Sequence, residues 1–267
     1  MLVPLLSSFA MSFTDIKASD IQSPLSVNFI GLDHYRELFA DPRFLNSLRV
    51  TGVFVLVGIP LTIVLSLALA VALDNGIKHF RAFFRVGFYA PVVTSIVAVS
   101  VVWRYILQPD GLLNSLFSRV GIEGPNWLQS TFWALPCLIL LAVWRNTGTL
   151  MVIFLAGLQS IPEELHEAAS VDGASAFRRF RSITLPLLKP TLLLGAVLIS
   201  VGYLQFFEES FVMTKGGPLD STFSIAFYTY EKFGYGDYGL SSAASYVLFT
   251  IIAAVSVLQF RLLRSDS

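Results

Sequence analysis

Charged side chains are scarce in this chain. Only 13% of its 267 residues are Asp, Glu, Lys or Arg, whereas a soluble domain carries about 25%. Because 55% of the residues are hydrophobic, the deficit indicates that most of the chain is solvated by lipid rather than by water. Acidic and basic residues balance at 18 each. Net charge therefore gives no sign of a nucleic-acid partner, and none is expected.

Cysteine and histidine are also rare, which excludes several kinds of site. Cys137 is the single cysteine, so an intrachain disulfide cannot form. His34, His79 and His166 lie far apart along the chain, and no cluster has metal-ligand spacing. The GxxxxGK[ST] motif that cradles nucleotide phosphates does not occur in the sequence. We therefore expect no metal, no cofactor and no catalytic residue in this chain.

Long apolar runs are abundant instead, and five are long enough for a helix of about 20 residues to cross about 30 Å of hydrocarbon. They lack the alternation of a barrel strand, and backbone groups in lipid must be bonded within a helix. Prolines 60, 91 and 136 are expected to be kinks that a helix bundle tolerates. The sequence thus predicts an all-α polytopic membrane helix bundle with five full transmembrane helices. The runs are 50–73, 86–103, 133–158, 187–207 and 240–260.

The N-terminal segment MLVPLLSSFAMSFT is apolar but short. As a helix it would cover only about 21 Å, which is too little to cross the bilayer. It has neither the basic start nor a convincing cleavage site of a signal peptide. We expect it to be the outer remnant of a sixth transmembrane helix whose first half is missing, and a short interfacial helix is the alternative.

Basic residues in short loops mark the cytoplasmic side of a membrane protein. Basic regions follow the first, third and fifth apolar runs, so all three lie on one side of the membrane. We expect that side to be cytoplasmic, although the segment before the first run also carries basic residues, which acidic neighbours offset. The basic residues are Lys78, Arg81, Arg85, Arg178, Arg179, Arg181, Lys189, Arg261 and Arg264.

A hydrophilic stretch, EAASVDGASAFRRFRSITLP, separates the third and fourth apolar runs at residues 167–186. A helix start is predicted just before it, with the Ser160 hydroxyl as the cap, Pro162 in the first turn and Glu163 as the acidic residue three positions on. The helix would cover about residues 161–171. Gly173 is suited to end that helix in a left-handed turn. Either Asp172 or Ser175 can then cap a second short helix.

The apolar residues of this stretch suggest a docking surface. Leu165, Ala168 and Ala169 share one helix face, and Phe177 and Phe180 would be exposed in water. This pattern slightly favours docking into a groove of a partner protein over a loop lying on lipid headgroups.

The same stretch resembles the "EAA" signature of permease subunits of binding-protein-dependent ABC importers. That signature is Glu-Ala-Ala, three residues, Gly, nine residues, then Ile-x-Leu-Pro. Four further segments resemble the carbohydrate-uptake branch that contains maltose and glycerol-3-phosphate permeases: FIGLDHYRELFADPRF, YAPVVTSIVAVSVVWRYILQPDGLLN, FLAGLQSIPEELHEAASVDGA and FVMTKGGP. The chain departs from the family at its front, where the first helix is normally complete. The matching signature residues are Glu167, Ala168, Ala169, Gly173, Ile183, Leu185 and Pro186.

The resemblance implies a single transmembrane permease domain of the type I importer over residues 1–267, with a cytoplasmic coupling loop at 159–186. Its partners would be a second permease subunit, a cytoplasmic ATPase dimer that hydrolyses the ATP, an extracytoplasmic solute-binding protein and a sugar substrate. The location would be the cytoplasmic (inner) membrane of a bacterium or archaeon. Glu167 would pair with a basic group of the ATPase, and Gly173 would permit the turn. The alternative is a secondary transporter driven by an ion gradient.

Polar residues inside apolar runs are candidates for the substrate pathway. The resemblance implies that the third and fourth full helices line a sugar pocket. Arg145 has a structural alternative, an ion pair with Glu208 or snorkelling past Trp144, and Gln205 has one in an interhelical hydrogen bond. The candidates are Arg145, Asn146, Thr149, Tyr203 and Gln205.

Two other features are assigned no chemistry. Trp103, Trp127 and Trp133 are expected to anchor the chain at the membrane interface. The segment KGGPLDST at residues 215–222 is expected to be a turn outside the membrane.

Overall fold

A computed structural model describes residues 2–22, 27–75 and 81–263. Lys78 and Arg264, which entered the orientation prediction, lie outside the described residues. Within these ranges the secondary structure is helical apart from one isolated bridge between Thr14 and Phe29. The helices are α1 (Leu2–Met11), α2 (Asp33–Ala40), α3 (Pro42–Asn75), α4 (Arg81–Val93), α5 (Ile96–Ile106), α6 (Leu112–Arg119), α7 (Ala134–Gln159), α8 (Glu163–Val171), α9 (Ala176–Arg179), α10 (Leu185–Leu204), α11 (Glu208–Met213), α12 (Ile225–Gly234) and α13 (Tyr238–Leu263).

Four predicted membrane helices are confirmed as long apolar helices. The spans that are long and apolar enough to cross a membrane are Pro42–Asp74, Ala134–Gln159, Ala176–Met213 and Tyr238–Arg261. Each covers all or nearly all of one of the apolar runs seen in the sequence, because a long run of mainly apolar side chains leaves a helix no continuous polar face. The prediction of a helical fold is thereby confirmed for these four runs, each of which is long and apolar enough to span a bilayer.

The second apolar run does not form the continuous helix expected over residues 86–103. It is divided between α4 and α5, whose axes differ by 98° across a short break. Pro91 lies inside α4 and has no N–H for the helix ladder. The Thr94 hydroxyl donates to the carbonyl of Ala90 at 2.9 Å, a side-chain bond that often bends helices. Among the described residues, the helices long and apolar enough to cross a membrane therefore number four, or five if the bent pair crosses as one span.

The apolar N-terminal segment forms the ten-residue helix α1, which is about 15 Å long. It is attached to α13 through Tyr246, whose hydroxyl donates to the carbonyl of Leu5 at 2.5 Å. The rings of Phe9 and Tyr246 meet edge to face at 5.0 Å. Leu2 and Val3 are each 74% exposed, so the free face of this helix is apolar.

The chain divides into two compact units. The first comprises the described residues of Met1–Val55, Ile96–Ile139 and Gly202–Ala254. Its core is aromatic, since Phe44, Phe54 and Tyr228 are almost completely buried. The rings of Phe54 and Phe206 stack at 3.8 Å, which joins α3 to the segment that follows α10.

The second unit comprises the described residues of Leu56–Ser95, Leu140–Val201 and Val255–Ser267. Small residues let its helices approach closely, as is common in membrane bundles. A Cβ on Gly148 of α7 would overlap the backbone carbonyl of Phe88 in α4, and a Cβ on Gly195 would lie 2.8 Å from the ring of Phe154. The Ser66 hydroxyl of α3 donates to the carbonyl of Thr147 at 3.0 Å.

Candidate functional site

The hydrophilic loop between α7 and α10 contains the two short helices predicted from the sequence. The first of them, α8, begins at Glu163, and the residue that precedes it, Pro162, makes no side-chain cap. The expectation that Ser160 caps α8 is wrong, because its hydroxyl donates to the carbonyl of Gly157 at 2.7 Å and so closes the end of α7. Glu163 and Glu164 in the first turn of α8 favour the helix start through the macrodipole.

Gly173 ends α8 in the left-handed turn that the sequence predicts, with a φ of +75°. The amide of Gly173 donates to the carbonyl of Ser170 at 3.1 Å, and that of Ala174 donates to Ala169 at 2.9 Å. These two bonds form a Schellman motif. No atom lies within 4 Å of a Cβ built on Gly173, so the backbone conformation, and not crowding, accounts for the glycine.

Ser175 is the cap of the second short helix, α9. Its hydroxyl accepts from the amide of Arg178 at 3.3 Å. A π-helical turn over Phe180–Thr184 follows at once, and α10 begins at Leu185. Arg179, Phe180 and Leu185 all have right-handed helical φ and ψ values. The loop and the apolar span that follows are therefore joined by one continuous helical path.

The signature residues of this loop are mostly accessible. None of the residues of α8, all of which the structure describes, is buried. Val171 is 88% exposed and Phe177 is 72% exposed, a large apolar surface for an otherwise charged loop. Phe180 is half-buried, contrary to the expectation that it is exposed. Glu167, Ala168, Gly173 and Pro186 are exposed, whereas Ala169, Ile183 and Leu185 are half-buried.

Three candidate pathway residues lie on α7 within the second unit. Arg145, Asn146 and Thr149 are all half-buried. The Arg145 Nε is buried and has no hydrogen-bond partner in the described part of the chain. The Asn146 side-chain amide donates to the carbonyl of Ala142 at 2.8 Å, which leaves its oxygen as an acceptor.

The other two candidates lie in the first unit. Tyr203 is only 2% exposed, and its ring lies 5.1 Å from that of Phe54, so it belongs to the aromatic core. Gln205 follows the end of α10 and is exposed. The five candidates are thus divided between the two units, three and two.

A cluster around Arg43 was not found by sequence reasoning. The guanidinium of Arg43 is bidentate to Asp220, with Nε to Oδ2 at 3.0 Å and Nη2 to Oδ1 at 3.2 Å. It also donates to both carboxylate oxygens of Glu231. Its Cζ lies 4.0 Å from the centre of the Phe223 ring, which adds a cation–π contact. We call Arg43, Asp220 and Glu231 the Arg43 clamp.

The clamp holds the segment at residues 215–222 against the start of α3. Lys215, Leu219 and Asp220 have φ values of 51°, 49° and 56°, a region that side chains other than glycine rarely adopt. Asn46 donates to the carbonyl of Asp220 at 2.8 Å. The only local signal for this feature was the turn sequence, because Arg43 is separated from its partners by 177 and 188 residues.

Tyr228 of α12 extends the same network. Its hydroxyl donates to Asp41 Oδ2 at 2.8 Å. Burial raises the pKa of the Tyr228 phenol well above its ordinary value, and the hydrogen bond to the Asp41 carboxylate raises the pKa further. The phenol is thus held in its neutral, donating form.

Known proteins resemble this chain over nearly all of its length. Residues 42–265 match the family described as "binding-protein-dependent transport system inner membrane component". A probable ABC transporter permease protein, YesP of Bacillus subtilis, is 38% identical over 265 residues, which cover 97% of this chain and 84% of that protein. The lactose transport system permease protein LacF of Rhizobium radiobacter is 33% identical over 266 residues, which cover 97% of this chain and 87% of that protein.

A further relative and a solved structure agree with these matches. The trehalose/maltose transport system permease protein MalF of Thermococcus litoralis is 34% identical over 236 residues, with 87% of this chain and 79% of that protein covered. The fold is similar to a chain in the crystal structure of a bacterial ABC transporter involved in the import of the acidic polysaccharide alginate. The TM-score is 0.80 at 25% identity, with 100% of this chain and 90% of that chain covered.

Proposed function

The chain belongs to the family of binding-protein-dependent transport system inner membrane components, and from this premise we propose that its solute is a saccharide and that the loop at residues 159–186 couples it to an ATPase. The chain is the membrane-spanning permease subunit of an ATP-driven importer in a bacterial or archaeal inner membrane. Its family is a transport component and not a catalytic one. In the proposed importer, ATP hydrolysis takes place on a separate cytoplasmic ATPase dimer.

The choice of a saccharide rests on the relatives. LacF and MalF are named for lactose and for trehalose and maltose, and the similar crystal structure belongs to an alginate importer. These solutes differ in size and charge, but all present hydroxyl groups that need hydrogen-bond partners inside the membrane. The proposed complete importer also contains a second permease subunit and an extracytoplasmic solute-binding protein, and the bent pair α4–α5 supplies a fifth crossing.

The continuous helical path from α9 into α10 is the observation that carries the coupling proposal. A movement of the loop is passed into α10 because no flexible residue separates α9, the π turn and the span. The Schellman motif at Gly173 fixes the direction in which α9 leaves α8. The loop therefore acts as one rigid element between the ATPase and the span.

The surface of α8 supports the same proposal. Leu165 and Val171 are exposed apolar residues, and Ala168 has a side chain small enough to let a partner approach closely. Glu167 is an exposed carboxylate that can pair with a basic group on the ATPase. Closure of the ATPase dimer on ATP would move this loop and so change the relative populations of the inward-facing and outward-facing states.

Arg145 is the pathway residue with the clearest need for a partner. A charged side chain inside a membrane span is costly unless it is paired or faces water. Its Nε is buried without a partner among the described residues, and a saccharide hydroxyl can supply the missing acceptor. Asn146 and Thr149 would contact the same solute from the same stretch of α7.

Transport by the reconstituted importer tests this function. The chain is placed in proteoliposomes with its partner permease, ATPase and loaded solute-binding protein, and saccharide uptake is measured with and without ATP. We expect uptake only when ATP and the binding protein are both present. Uptake driven by an ion gradient in the absence of the ATPase would instead establish a secondary transporter.

Two variants test the coupling loop. Glu167→Lys removes the proposed ion pair. Gly173→Pro replaces a φ of +75° by one near −65°. We expect both proteins to insert into the membrane and to retain ATPase activity while losing at least about 90% of uptake, since each 1.4 kcal/mol of lost coupling is tenfold. Glu123→Lys is the control, because it makes the same charge change at an exposed residue outside the loop. Normal uptake by either coupling variant would contradict the proposed coupling through this loop.

A further inference from the structure

We propose that a cavity at the end of α5 is a saccharide-binding subsite. The cavity has a volume of about 240 Å³ and lies entirely within the first unit, between α5, the loop at residues 126–129 and the end of α11. None of its residues belongs to the candidate pathway or to the coupling loop. The residues that define its chemistry are Arg104, Gln108, Asn126, Trp127, Gln129 and Thr214.

Trp127 forms a rigid aromatic wall of this cavity. Its indole Nε1 donates to Asn114 Oδ1 at 2.7 Å, so its one polar atom is already satisfied inside the protein. The ring also meets that of Trp133 edge to face at 5.4 Å. These contacts fix the orientation of the ring before any ligand arrives, which lowers the entropy cost of binding.

The side chain of Asn114 links Trp127 to the loop that surrounds it. Its side-chain nitrogen donates to the carbonyl of Pro109 at 3.0 Å and to that of Pro125 at 3.4 Å. A Cβ on Gly124 would lie 2.7 Å from Asn114 Cγ, so glycine is needed for this close approach. The loop is therefore built to place Asn114, and through it Trp127.

The polar side chains at the cavity have unused hydrogen-bonding capacity. Arg104, Gln108 and Gln129 are exposed, and in the described ranges their side chains make no hydrogen bond or ion pair. An arginine supplies donors only, whereas each glutamine supplies donors and an acceptor. Met213 and Leu107 are buried and add apolar surface. The cavity thus combines one fixed aromatic face, apolar surface and several free polar groups.

This combination fits a sugar ring. A pyranose presents an apolar face of C–H groups, which packs on an aromatic ring, and a rim of hydroxyl groups, which amides can contact as both donor and acceptor. A phospholipid headgroup would instead favour several basic groups around its phosphate. Arg104 is the one cationic side chain among the described residues that line the cavity, and it stands beside three amides. The lining chemistry therefore favours a saccharide over a lipid phosphate.

The subsite gives the chain a second place to hold its solute. It rests on the proposed saccharide specificity, and it lies outside the residues assigned to the pathway. The distribution of basic residues assigns this loop to the extracytoplasmic side. A sugar unit released by the solute-binding protein would thus be met on that side before it reaches the membrane spans.

Direct binding to the purified importer in lipid nanodiscs tests the subsite. Saturation-transfer NMR is recorded without ATP or binding protein, with lactose, maltotriose and arabinotriose as separate probes. We expect at least one probe to receive saturation through its ring C–H protons. The double variant Gln108→Ala/Gln129→Ala should raise the Kd about 30-fold, because each lost hydrogen bond costs about 1 kcal/mol. Trp127→Leu should raise it about 10-fold, whereas Trp127→Phe, which keeps an aromatic face, should retain most of the binding.

Control measurements distinguish a saccharide subsite from a lipid site. Glu123→Gln, in the same loop but outside the cavity, should leave the Kd unchanged. Absence of saturation transfer from all three probes, or a Kd unaffected by the cavity variants, would overturn the subsite. A lipid site would be identified if phospholipid co-purified with the wild type but not with Arg104→Gln, while sugar binding stayed the same. That result would also overturn the saccharide subsite. The proposed function fails separately, if ATP and binding protein produce no saccharide uptake.

Discussion

Replacement of Arg43 by methionine should release the loop at residues 214–224 without unfolding the chain. Methionine keeps a long, flexible side chain but removes the guanidinium's hydrogen bonds to the carboxylates of Asp220 and Glu231. The two carboxylates would then face each other without their shared cation. Phe223 would also lose its cation–π contact.

The size of the effect follows from the exposure of the three side chains. Arg43, Asp220 and Glu231 are 39%, 38% and 18% exposed, so the cluster is neither buried nor fully solvated. Exposed ion pairs contribute about 0.2–1 kcal/mol, and loss of one partner of a buried pair costs about 3–5 kcal/mol. An intermediate value of about 2 kcal/mol, already reduced for solvent screening, corresponds to about a 30-fold larger population of the open loop.

Hydrogen exchange measured by mass spectrometry on the protein in nanodiscs detects this opening. The amide of Thr222 donates to Gly216 at 3.1 Å, and the amide of Phe223 donates to Asp220 at 3.2 Å. Both bonds should break when the loop opens. We expect their exchange to accelerate about 30-fold in Arg43→Met, with little change in the long apolar helices.

Arg36→Met is the matched control for Arg43→Met. Arg36 pairs with Asp33, but the two side chains are 80% and 63% exposed, so the pair contributes little. Exchange in the loop at residues 214–224 should therefore match that of the wild type. The clamp would be refuted if Arg43→Met left this exchange within about threefold of the wild type, or if Arg36→Met accelerated it equally.

Three further predictions concern other parts of the chain. Gly148→Ala should destabilise the protein by about 1–3 kcal/mol because its Cβ would overlap the Phe88 carbonyl. Gly52→Ala should be neutral or should stabilise the helix by up to about 1 kcal/mol, because its Cβ meets nothing within 4 Å. The free energy of unfolding is measured in mixed micelles, and equal values for the two variants would contradict the close contact at Gly148. The raised pKa of Tyr228 predicts stability that is complete below the unfolded pKa of about 10 and falls above it by about 1.4 kcal/mol per pH unit. Tyr228→Phe should abolish the part of this decline that comes from the Tyr228 phenol. Identical slopes of stability against pH in the wild type and the variant would contradict this prediction. Ser175→Ala should destabilise α9 by about 1 kcal/mol through loss of its cap, seen as faster exchange at Arg178 with no change in α8.

The sequence predicted the membrane helices where composition alone determines them. The runs within α3 and α13 carry no charged residue, and those within α7 and α10 are interrupted only by Arg145 and Lys189, so length and hydropathy alone indicate membrane helices there. The bend between α4 and α5 could not be predicted in the same way. Pro91 precedes that bend, but Pro60 and Pro190 lie inside α3 and α10 without dividing them. Proline therefore marks a possible bend, and packing decides whether it occurs.

The candidate sites show the same contrast between local and long-range signals. The turn at Gly173 depends on residues within one helical turn, and the prediction of a left-handed glycine is confirmed. The cap by Ser160 is wrong, because a serine can bond to the helix before it as well as to the helix after it. The Arg43 clamp joins residues 177 and 188 positions apart, and no pattern in the sequence links them.

The π turn at Phe180–Thr184 has a consequence for the angular phase of α10. Each residue of an α-helix advances the side-chain direction by about 100°, and a π turn accommodates an extra residue within one turn. Removal of one residue there would therefore rotate α10 by about 100° about its axis relative to α9. Leu188 and Ala196, which are buried, would leave the core of their unit, while exposed residues would replace them. The π turn thus determines which face of α10 packs into the core for a given orientation of α9.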